Sequence, residues 1–325
     1  MVIRVGLVGT GYAARARIKA LKEDGRSHPI AIASRYGQRA EELAQAHGLN
    51  AVENWRSLVA DKAVDLVVVA TVSALHGDVV EAALRAGKHV VVEYPLSLEV
   101  DQAKYLVALA AKKSLLLHVE HIELIGGLHQ AMRTGLAELG EVSYVSYRTL
   151  NPQNPAPQKW TYNQNLFGFA YCGALSRVQR MVNLLGAVAR VSCCTRYSGE
   201  GEDGWFKGVV SSARLEFVSG GVAELAYGKG EGLWLKRRDV EMQGALGAIA
   251  FTGNAGRLVT STGERAIAVE PRKGLFVKDT AAVLSYLTEK TPLYVSAAES
   301  LYALSVADAL RRASESGSTV AVDNL

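Results

Sequence analysis

Residues 3 to 14 read Ile3-Arg4-Val5-Gly6-Leu7-Val8-Gly9-Thr10-Gly11-Tyr12-Ala13-Ala14. A strand-like apolar run ends at Gly9, and Gly11 and Ala14 complete a G-x-G-x-x-A pattern that is typical of dinucleotide-binding folds. Gly9 permits a tight turn, Gly11 lets the backbone approach a pyrophosphate, and Ala14 lets the next helix pack near the strand. The free N–H groups at the start of that helix favour a phosphate. The stretch therefore predicts a dinucleotide site.

The composition limits the class of protein. The chain has 325 residues, of which 49% are hydrophobic and 21% charged, as expected of a globular protein with two domains. It has no apolar run of membrane-spanning length and no signal-peptide pattern, and only three cysteines, so we expect a cytoplasmic protein without a membrane partner. A net charge of +4 without a long basic run favours an anionic small molecule over nucleic acid. We expect a monomer or a homodimer.

The first 122 residues alternate between strand and helix patterns. Strands are predicted at 3–8, 29–34, 64–71, 89–94 and 114–119, and helices at 15–23, 38–47, 55–60, 79–86 and 101–112. This rhythm predicts a doubly wound parallel (Rossmann) sheet in a domain of residues 1–122. Ligands of such sheets lie at the carboxyl ends of the strands.

From about Gly140 the pattern changes to paired strands with short turns, such as Ser219-Gly220-Gly221. Strands are predicted at 141–149, 189–196, 208–218, 222–228, 238–243, 248–252, 257–260 and 265–270. Helices are predicted at 173–185, 279–288 and 297–316, and a proline-rich loop at 151–168. We expect an α+β domain of residues 123–325 with a large, mainly antiparallel sheet, whose C-terminal helix could pack back on the first domain. The active site is expected in the cleft between the domains.

Cofactor choice is predicted from the end of the second strand. A residue about 20 positions beyond the fingerprint contacts the ribose 2′-hydroxyl when it is acidic. Here Ser34 and Arg35 stand in that place, and they suit a 2′-phosphate, although a solvated surface pair is the alternative. NADPH (NADP+) is the predicted cofactor. The candidate cofactor-binding residues are Gly9, Thr10, Gly11, Tyr12, Ala13, Ser34, Arg35, Thr71, His76, Glu93 and Tyr94.

Several longer segments carry a family resemblance. They are Glu93-Tyr94-Pro95-Leu96, the stretch 118–124 (His-Val-Glu-His-Ile-Glu-Leu), the stretch 154–162 (Asn-Pro-Ala-Pro-Gln-Lys-Trp-Thr-Tyr) and Ala174-Leu175-Ser176-Arg177. With the fingerprint and the domain order, the chain resembles the glucose-fructose oxidoreductase/inositol dehydrogenase (Gfo/Idh/MocA) superfamily over essentially its whole length. Within it, these segments resemble the biliverdin reductases of the cyanobacterial type.

Departures from the wider superfamily agree with this narrower resemblance. Sugar-oxidising members carry Glu-Lys-Pro, whose lysine helps to deprotonate the reacting hydroxyl, and Tyr94 replaces that lysine here. They also carry Asp-x-x-x-His on a helix of the substrate domain, where this chain has Ser176 and Arg180. The usual acid–base groups for alcohol oxidation are therefore missing.

The resemblance implies hydride transfer from NADPH to the central methine carbon of biliverdin, which yields bilirubin. It implies Arg177 as the catalytic residue, and electrostatic stabilisation is the easier role because a guanidinium stays protonated. Candidate catalytic residues are Arg177, Tyr94 and Glu93. Candidate substrate-binding residues are Arg177, Arg180, Lys159, Trp160, Glu120, His121 and Lys229.

Each of these residues could instead have a purely structural role. Arg177 and Arg180 could be solvated helix residues, Tyr94 could only shape the site, and Trp160 could only pin its loop. His76 could contact the nicotinamide or cap the following helix. Glu93, Glu120, His121 and Glu123 could form internal hydrogen bonds or hold a metal, and the resemblance supplies no metal.

Two other functions stay open at this point. One is an NADP-dependent oxidoreductase of the superfamily that acts on a sugar or cyclitol, which the missing lysine disfavours. The other is a non-catalytic NADP-binding regulator on the same fold.

Overall fold

The computed structural model describes residues 2–323, and its first part alternates between strands and helices, as predicted. The strands are β1 (Ile3–Val8), β2 (Ser27–Ala33), β3 (Asn50–Val52), β4 (Leu66–Val69), β5 (His89–Glu93) and β6 (Leu117–Glu120). The helices are α1 (Tyr12–Glu23), α2 (Gly37–His47), α3 (Trp55–Ala60), α4 (His76–Arg85) and α5 (Val100–Lys112). The six strands pair in parallel in the order β3-β2-β1-β4-β5-β6, which confirms the predicted doubly wound sheet.

The central strands are apolar because both of their faces are covered. Leu7, Val67 and Val90 are fully buried on β1, β4 and β5. The short edge strand β3, which the sequence analysis missed, has exposed residues at Asn50 and Ala51 and so lacks an apolar pattern. The strand order reverses between β1 and β4, and a dinucleotide binds at such a reversal.

The chain divides into two compact units that differ from the predicted domains in one segment. The first unit comprises Met1–Ile122 and Gly274–Leu301, and the second comprises Glu123–Lys273 and Tyr302–Leu325. The segment 274–301, predicted to lie in the second domain, contains α10 (Leu275–Glu289), which packs against α1. Val283 of α10 shares one hydrophobic core with Val5 and Leu7. Burial of this helix face explains why the segment belongs to the first unit.

The second unit contains a nine-stranded sheet. Its strands are β7 (Val142–Pro152), β8 (Val188–Ser198), β9 (Gly208–Phe217), β10 (Val222–Gly230), β11 (Arg237–Gly244), β12 (Gly247–Thr252), β13 (Ala255–Thr260), β14 (Gly263–Ala268) and β15 (Val320–Ala321). They pair in the order β14-β13-β12-β11-β7-β10-β9-β8-β15. The β7–β10 pair is parallel and the other pairs are antiparallel, which confirms the predicted mainly antiparallel sheet.

The remaining helices are α6 (Gly127–Leu136), α7 (Gln164–Phe167), α8 (Ala170–Gly173), α9 (Leu175–Leu185) and α11 (Ala297–Ser316). The sequence analysis missed α6 because glycines lie near both of its ends. Gly127 is needed there, since a Cβ atom would lie 2.2 Å from the backbone carbonyl oxygen of Glu270. The loop predicted at 151–168 also holds α7 and a 3₁₀ turn at Trp160–Tyr162. Among residues 2–323, no helix is both long and apolar enough to cross a bilayer.

Candidate functional site

The fingerprint loop has the geometry of a phosphate cradle. Gly9 has a φ of 118°, and a Cβ atom there would lie 2.1 Å from the carbonyl oxygen of Ala70, so only glycine fits. Gly11 begins α1 and would have open space around a Cβ atom. No side chain among the described residues caps α1, and its first turn holds no acidic residue, so the helix N-terminus can bind a phosphate. The loop therefore fits the pyrophosphate of a dinucleotide.

Ser34 and Arg35 lie directly after β2, beside this loop. The hydroxyl oxygen of Ser34 is 3.3 Å from that of Thr10 on the fingerprint, and it accepts a hydrogen bond from the backbone N–H of Tyr36. Arg35 is exposed. The structure thus brings Ser34 to the fingerprint and leaves the Arg35 guanidinium available for an anion.

His76 links the ends of β4 and β5. Its Nδ1 is 2.8 Å from the carbonyl oxygen of Pro95, and its Nε2 is 3.3 Å from that of Thr71. Burial lowers the pKa of His76, so the ring is neutral at pH 7. The ring nitrogens face these carbonyl oxygens and no side chain among the described residues caps α4, so the structure goes against the capping alternative for His76 and leaves contact with the nicotinamide as the other. A neutral ring carries one N–H, so His76 donates to one of the two oxygens, and the shorter contact favours that of Pro95, which directly follows Tyr94.

Tyr94 and His121 form a stacked pair after β5 and β6. Their ring centroids lie 5.6 Å apart and their planes differ by 2°. Burial, with a smaller contribution from His118, lowers the pKa of His121 to about 3, so this ring is also neutral. Both ring nitrogens of His121 are buried without a hydrogen-bond partner among the described residues. Such orphaned polar atoms point to a ligand or ordered water at this position.

Glu93, which directly precedes Tyr94, belongs to a buried ionic cluster that the sequence analysis missed. Arg17 of α1 pairs with Asp279 of α10, and it also lies 3.4 Å from Glu93. Asp279 accepts hydrogen bonds from His118 at 2.8 Å and from Tyr294 at 2.5 Å. Arg17 is 1% exposed and Asp279 is fully buried, so both charges depend on protein partners rather than on water for their stabilisation.

Glu93 and a second buried glutamate, Glu120, have pKa values above their ordinary range, whereas the pKa of Asp279 is lowered. Burial, and then the charges of Glu93 and Asp279, raise the pKa of Glu120 well above its ordinary value. Burial also raises the pKa of Glu93, although Arg17 opposes this effect. Burial alone would raise the pKa of Asp279 as well, but Arg17 and His118 hold it below its usual range. The negative charge of the cluster is therefore concentrated on Asp279.

In the second unit, Arg177 lies against the sheet. Its Nη1 donates a hydrogen bond to the hydroxyl oxygen of Ser176 at 3.0 Å. Its guanidinium carbon lies 5.7 Å from the ring centroid of Tyr227 on β10. Burial raises the pKa of Tyr227 to about 12, with Arg177 acting in the opposite direction. Arg177 is half-buried against the Tyr227 ring, so it is not a fully solvated helix residue.

Arg180 is buried one turn further along α9, which rules out the solvated alternative for it. It is 2% exposed, donates to the hydroxyl of Tyr147 at 2.5 Å, and lies 3.2 Å from a carboxylate oxygen of Glu123. Arg272 also donates to Glu123, at 2.8 Å. Burial would raise the pKa of Glu123, but the two arginines hold it below its ordinary value. Arg180 is thus committed to protein partners.

Lys229 occupies an aromatic box on the same face of β10 as Tyr227. Its ammonium nitrogen lies 3.8 Å from the ring centroid of Phe167 and 4.7 Å from that of Tyr162, and it donates to the carbonyl oxygen of Thr161 at 2.5 Å. Burial lowers the pKa of Lys229 to about 7. An alternation of Tyr and Lys along β10 was visible in the sequence and could have indicated this face.

Trp160 and Lys159 lie on the same loop as these aromatic side chains. The Trp160 ring meets the Phe167 ring edge-to-face at 5.6 Å and keeps 36% of the residue exposed. This contact supports the loop-pinning role and leaves a surface for stacking. Lys159 is exposed. In the second unit, Arg177, Lys229 and Trp160 each contact an aromatic ring, and Arg180 differs from them in being buried in its own ion pair with Glu123.

The structure combines a nucleotide-binding loop on a parallel sheet with an antiparallel sheet that carries cationic and aromatic side chains. This combination defines a class of protein. The oxidoreductase family with an NAD-binding Rossmann fold (Gfo/Idh/MocA) matches residues 3–121, and its C-terminal α/β domain matches residues 136–322. The chain belongs to this family, and it is an NAD(P)H-dependent oxidoreductase.

Within the family, the chain is similar to biliverdin reductases. A crystal structure of biliverdin reductase from Synechocystis sp. PCC 6803, in complex with biliverdin and NADP+, shares 45% identity. The alignment covers 96% of this chain and 98% of that one, with a TM-score of 0.93. Biliverdin reductase A of Mus musculus is 27% identical over 76% of this chain and 87% of its own length. A dTDP-3,4-didehydro-2,6-dideoxy-alpha-D-glucose 3-reductase from Actinomadura kijaniata is 35% identical, but over only 46% of this chain and 47% of its own length.

Proposed function

We propose that this protein reduces biliverdin to bilirubin with NADPH. The observation that carries the proposal is the 45% identity over 96% of the chain to a reductase crystallised with biliverdin and NADP+. The replacement of the Glu-Lys-Pro lysine by Tyr94 agrees with it, because sugar oxidation would need a base there. The sparse cysteines support a cytoplasmic location as part of the same proposal.

The first unit would hold the cofactor through its backbone. Gly9, Gly11 and the start of α1 bind the pyrophosphate, and Ser34 and Arg35 bind the 2′-phosphate. When bound, NADPH supplies the hydride. Thr71, His76 and Tyr94 follow the carboxyl ends of β4 and β5, where the His76 ring lies between the carbonyl oxygens of Pro95 and Thr71.

The second unit would bind and polarise the bilin. Arg177 keeps a fixed positive charge at every working pH, so it stabilises electron density that builds up on the tetrapyrrole as the hydride arrives. Trp160 offers a ring for stacking, and Lys159 and Lys229 offer ammonium groups for the propionates. Because Arg180 is paired with Glu123 and Tyr147, we assign it to positioning α9, and thereby Arg177.

A spectroscopic assay tests the proposal directly. The protein is mixed with NADPH and biliverdin, and the green substrate spectrum should give way to the yellow bilirubin spectrum. Oxidation of a sugar or cyclitol with NADP+, with no change in biliverdin, would instead identify the other oxidoreductase function. Binding of NADP+ without either reaction would identify a non-catalytic protein.

We expect a preference for NADPH over NADH that depends on Ser34 and Arg35. The variant S34D/R35A should lower kcat/KM for NADPH by about 10- to 100-fold, because it removes a charged hydrogen bond to the 2′-phosphate and adds repulsion. The same change should favour NADH, since the new carboxylate can accept hydrogen bonds from the ribose. Steady-state kinetics with both cofactors measure this. Arg56→Ala, an exposed arginine of α3, is the control, and equal use of both cofactors by the unmodified enzyme would contradict the prediction.

Tyr94 should shape the site without donating the proton. Tyr94→Phe keeps the ring that stacks on His121 and removes the hydroxyl, so kcat should fall by less than about tenfold, or about 1.4 kcal/mol of barrier. Tyr94→Ala, which also removes the ring, should be more harmful. Single-turnover reduction of biliverdin is the measurement, and a much larger loss in Tyr94→Phe with unchanged NADPH binding would show that the hydroxyl takes part in the chemistry.

A further inference from the structure

Glu93 and Glu120 lie opposite each other at the carboxyl ends of adjacent strands. They are register partners on β5 and β6, which places their backbones about 5 Å apart. Glu120 is 2% exposed, and the Glu93 side chain is 17% exposed. Register partners on neighbouring parallel strands place their side chains on the same face of the sheet, so the two carboxyl groups are neighbours. Two carboxyl groups this close in a buried site cannot both ionise without a large cost.

The charged groups that face this pair do not neutralise it. Arg17 provides one guanidinium, and it serves Asp279 as well as Glu93. Three ionised carboxylates against one guanidinium would leave two negative charges in the cluster. The groups packed around the pair are Arg17 from α1, His118 and His121 from β6 and its end, and Asp279 and Tyr294 from residues 274–301. Glu120 accepts a hydrogen bond from the backbone N–H of Ile122 at 2.7 Å.

We propose that Glu93 and Glu120 share one proton in the free protein and release it when an oxidised, positively charged nicotinamide binds. The O–H bond that breaks belongs to the Glu120 carboxyl, and the proton leaves toward solvent through the more exposed Glu93. Nothing is oxidised or reduced in this step. The inference rests only on the cofactor part of the proposed function, since biliverdin takes no part in it.

The fold indicates which end of the cofactor meets the pair. Ser34 and Arg35 assign the 2′-phosphate end to the β2 side of the strand reversal, so the nicotinamide end belongs to the side of β4, β5 and β6. Tyr94 and His121 directly follow the two glutamates in the sequence, and their rings are stacked. Both buried ring nitrogens of His121 lack a hydrogen-bond partner among the described residues, which points to a ligand at this position. A positive charge next to this layer lowers the pKa of the carboxyl pair, whereas the neutral reduced ring does not.

The release would help the proposed reaction. Reduction of biliverdin needs one proton as well as the hydride, and the Arg177 guanidinium cannot supply it near neutral pH. A carboxyl pair that loses its proton only when the cofactor becomes positively charged releases that proton to the solvent in the step in which the hydride leaves, and the solvent can in turn protonate the bilin.

Proton counting upon cofactor binding tests the inference. NADP+ or NADPH is added to the weakly buffered protein near pH 7, and a pH-indicator dye reports the protons released. NADP+ should release up to one proton more than NADPH. Accordingly, the ratio of NADP+ affinity to NADPH affinity should rise with pH, by up to tenfold per pH unit. Glu120→Gln, whose amide mimics the protonated acid, should remove this difference, and Glu41→Gln on the exposed face of α2 should keep it.

A second readout needs no substitution. The infrared difference spectrum between the NADPH and NADP+ complexes should show the loss of a protonated-carboxyl C=O band in the NADP+ complex. Equal proton counts for the two cofactors, an unchanged band, or a difference that survives in Glu120→Gln would each overturn the inference while leaving biliverdin reduction intact. Failure to bind either cofactor would overturn both the inference and the proposed function.

Discussion

Replacing Arg177 with alanine should lower kcat and kcat/KM together by about 100- to 1000-fold, as the loss of one preorganised charge in an enzyme site does. The guanidinium lies over Tyr227 on a half-buried surface, where low dielectric strengthens its interaction with developing negative charge. Arg177→Lys should recover little activity, because an ammonium does not reproduce the planar group that spreads across a ring and several acceptors.

Single-turnover hydride transfer at saturating bilin is the measurement that separates chemistry from binding. Arg214→Ala, an exposed arginine of β9 that pairs with Glu216, is the matched control and should behave like the unmodified enzyme. If Arg177→Ala transferred hydride at the unmodified rate under these conditions, Arg177 would be a binding residue, and its proposed catalytic role would be refuted.

Replacing Arg17 with methionine should lower the free energy of unfolding by about 3–5 kcal/mol. Methionine keeps much of the side-chain volume but removes the cation that pairs with Asp279 and Glu93 in a fully buried position. Asp279 keeps its hydrogen bonds from His118 and Tyr294, but these do not replace a full positive charge. Urea unfolding followed by circular dichroism measures the change. Lys19→Met, on the exposed side of the same helix, should leave stability unchanged.

This loss should depend on pH in a definite direction. Without Arg17, the pKa of Asp279 loses the main charge that holds it below its ordinary value, and the pKa values of Glu93 and Glu120 rise further above theirs, so the folded variant binds more protons than the unmodified protein does. Stability then falls as pH rises, and the variant should lose more stability at about pH 8 than at about pH 5. A constant difference across this range would show that Arg17 contributes through packing rather than through charge.

Local sequence patterns were sufficient to predict the turns and strands that depend only on residues close together in the chain. The fingerprint predicted the tight turn at Gly9 because the need for a left-handed residue is a property of the turn itself. Gly48 ends α2 in the left-handed conformation for the same reason. The Val-rich strands predicted a buried parallel sheet, since their composition directly reflects burial on both faces.

Features that depend on distant residues could not be predicted in this way. Arg17 follows the fingerprint as one more basic residue of an amphipathic helix, and its partner Asp279 is 262 positions away. Arg180 looked equivalent to Arg177 on α9, yet Glu123 and Tyr147 bury one and not the other. The aromatic box of Lys229 is assembled from the 3₁₀ turn that holds Tyr162, the short helix α7, Phe206 in the loop before β9, and strand β10, so no single stretch of sequence contains it.

The return of residues 274–301 to the first unit also affects how the chain folds during synthesis. An N-terminal domain usually folds as soon as it leaves the ribosome. Here the nascent chain presents Arg17 and Glu93 long before Asp279 and α10 are made, so the buried guanidinium lacks its main partner during most of translation. The first unit is therefore completed only after residue 301 has been synthesised, when about nine tenths of the 325 residues have been made, and until then the face of α1 that α10 covers stays uncovered.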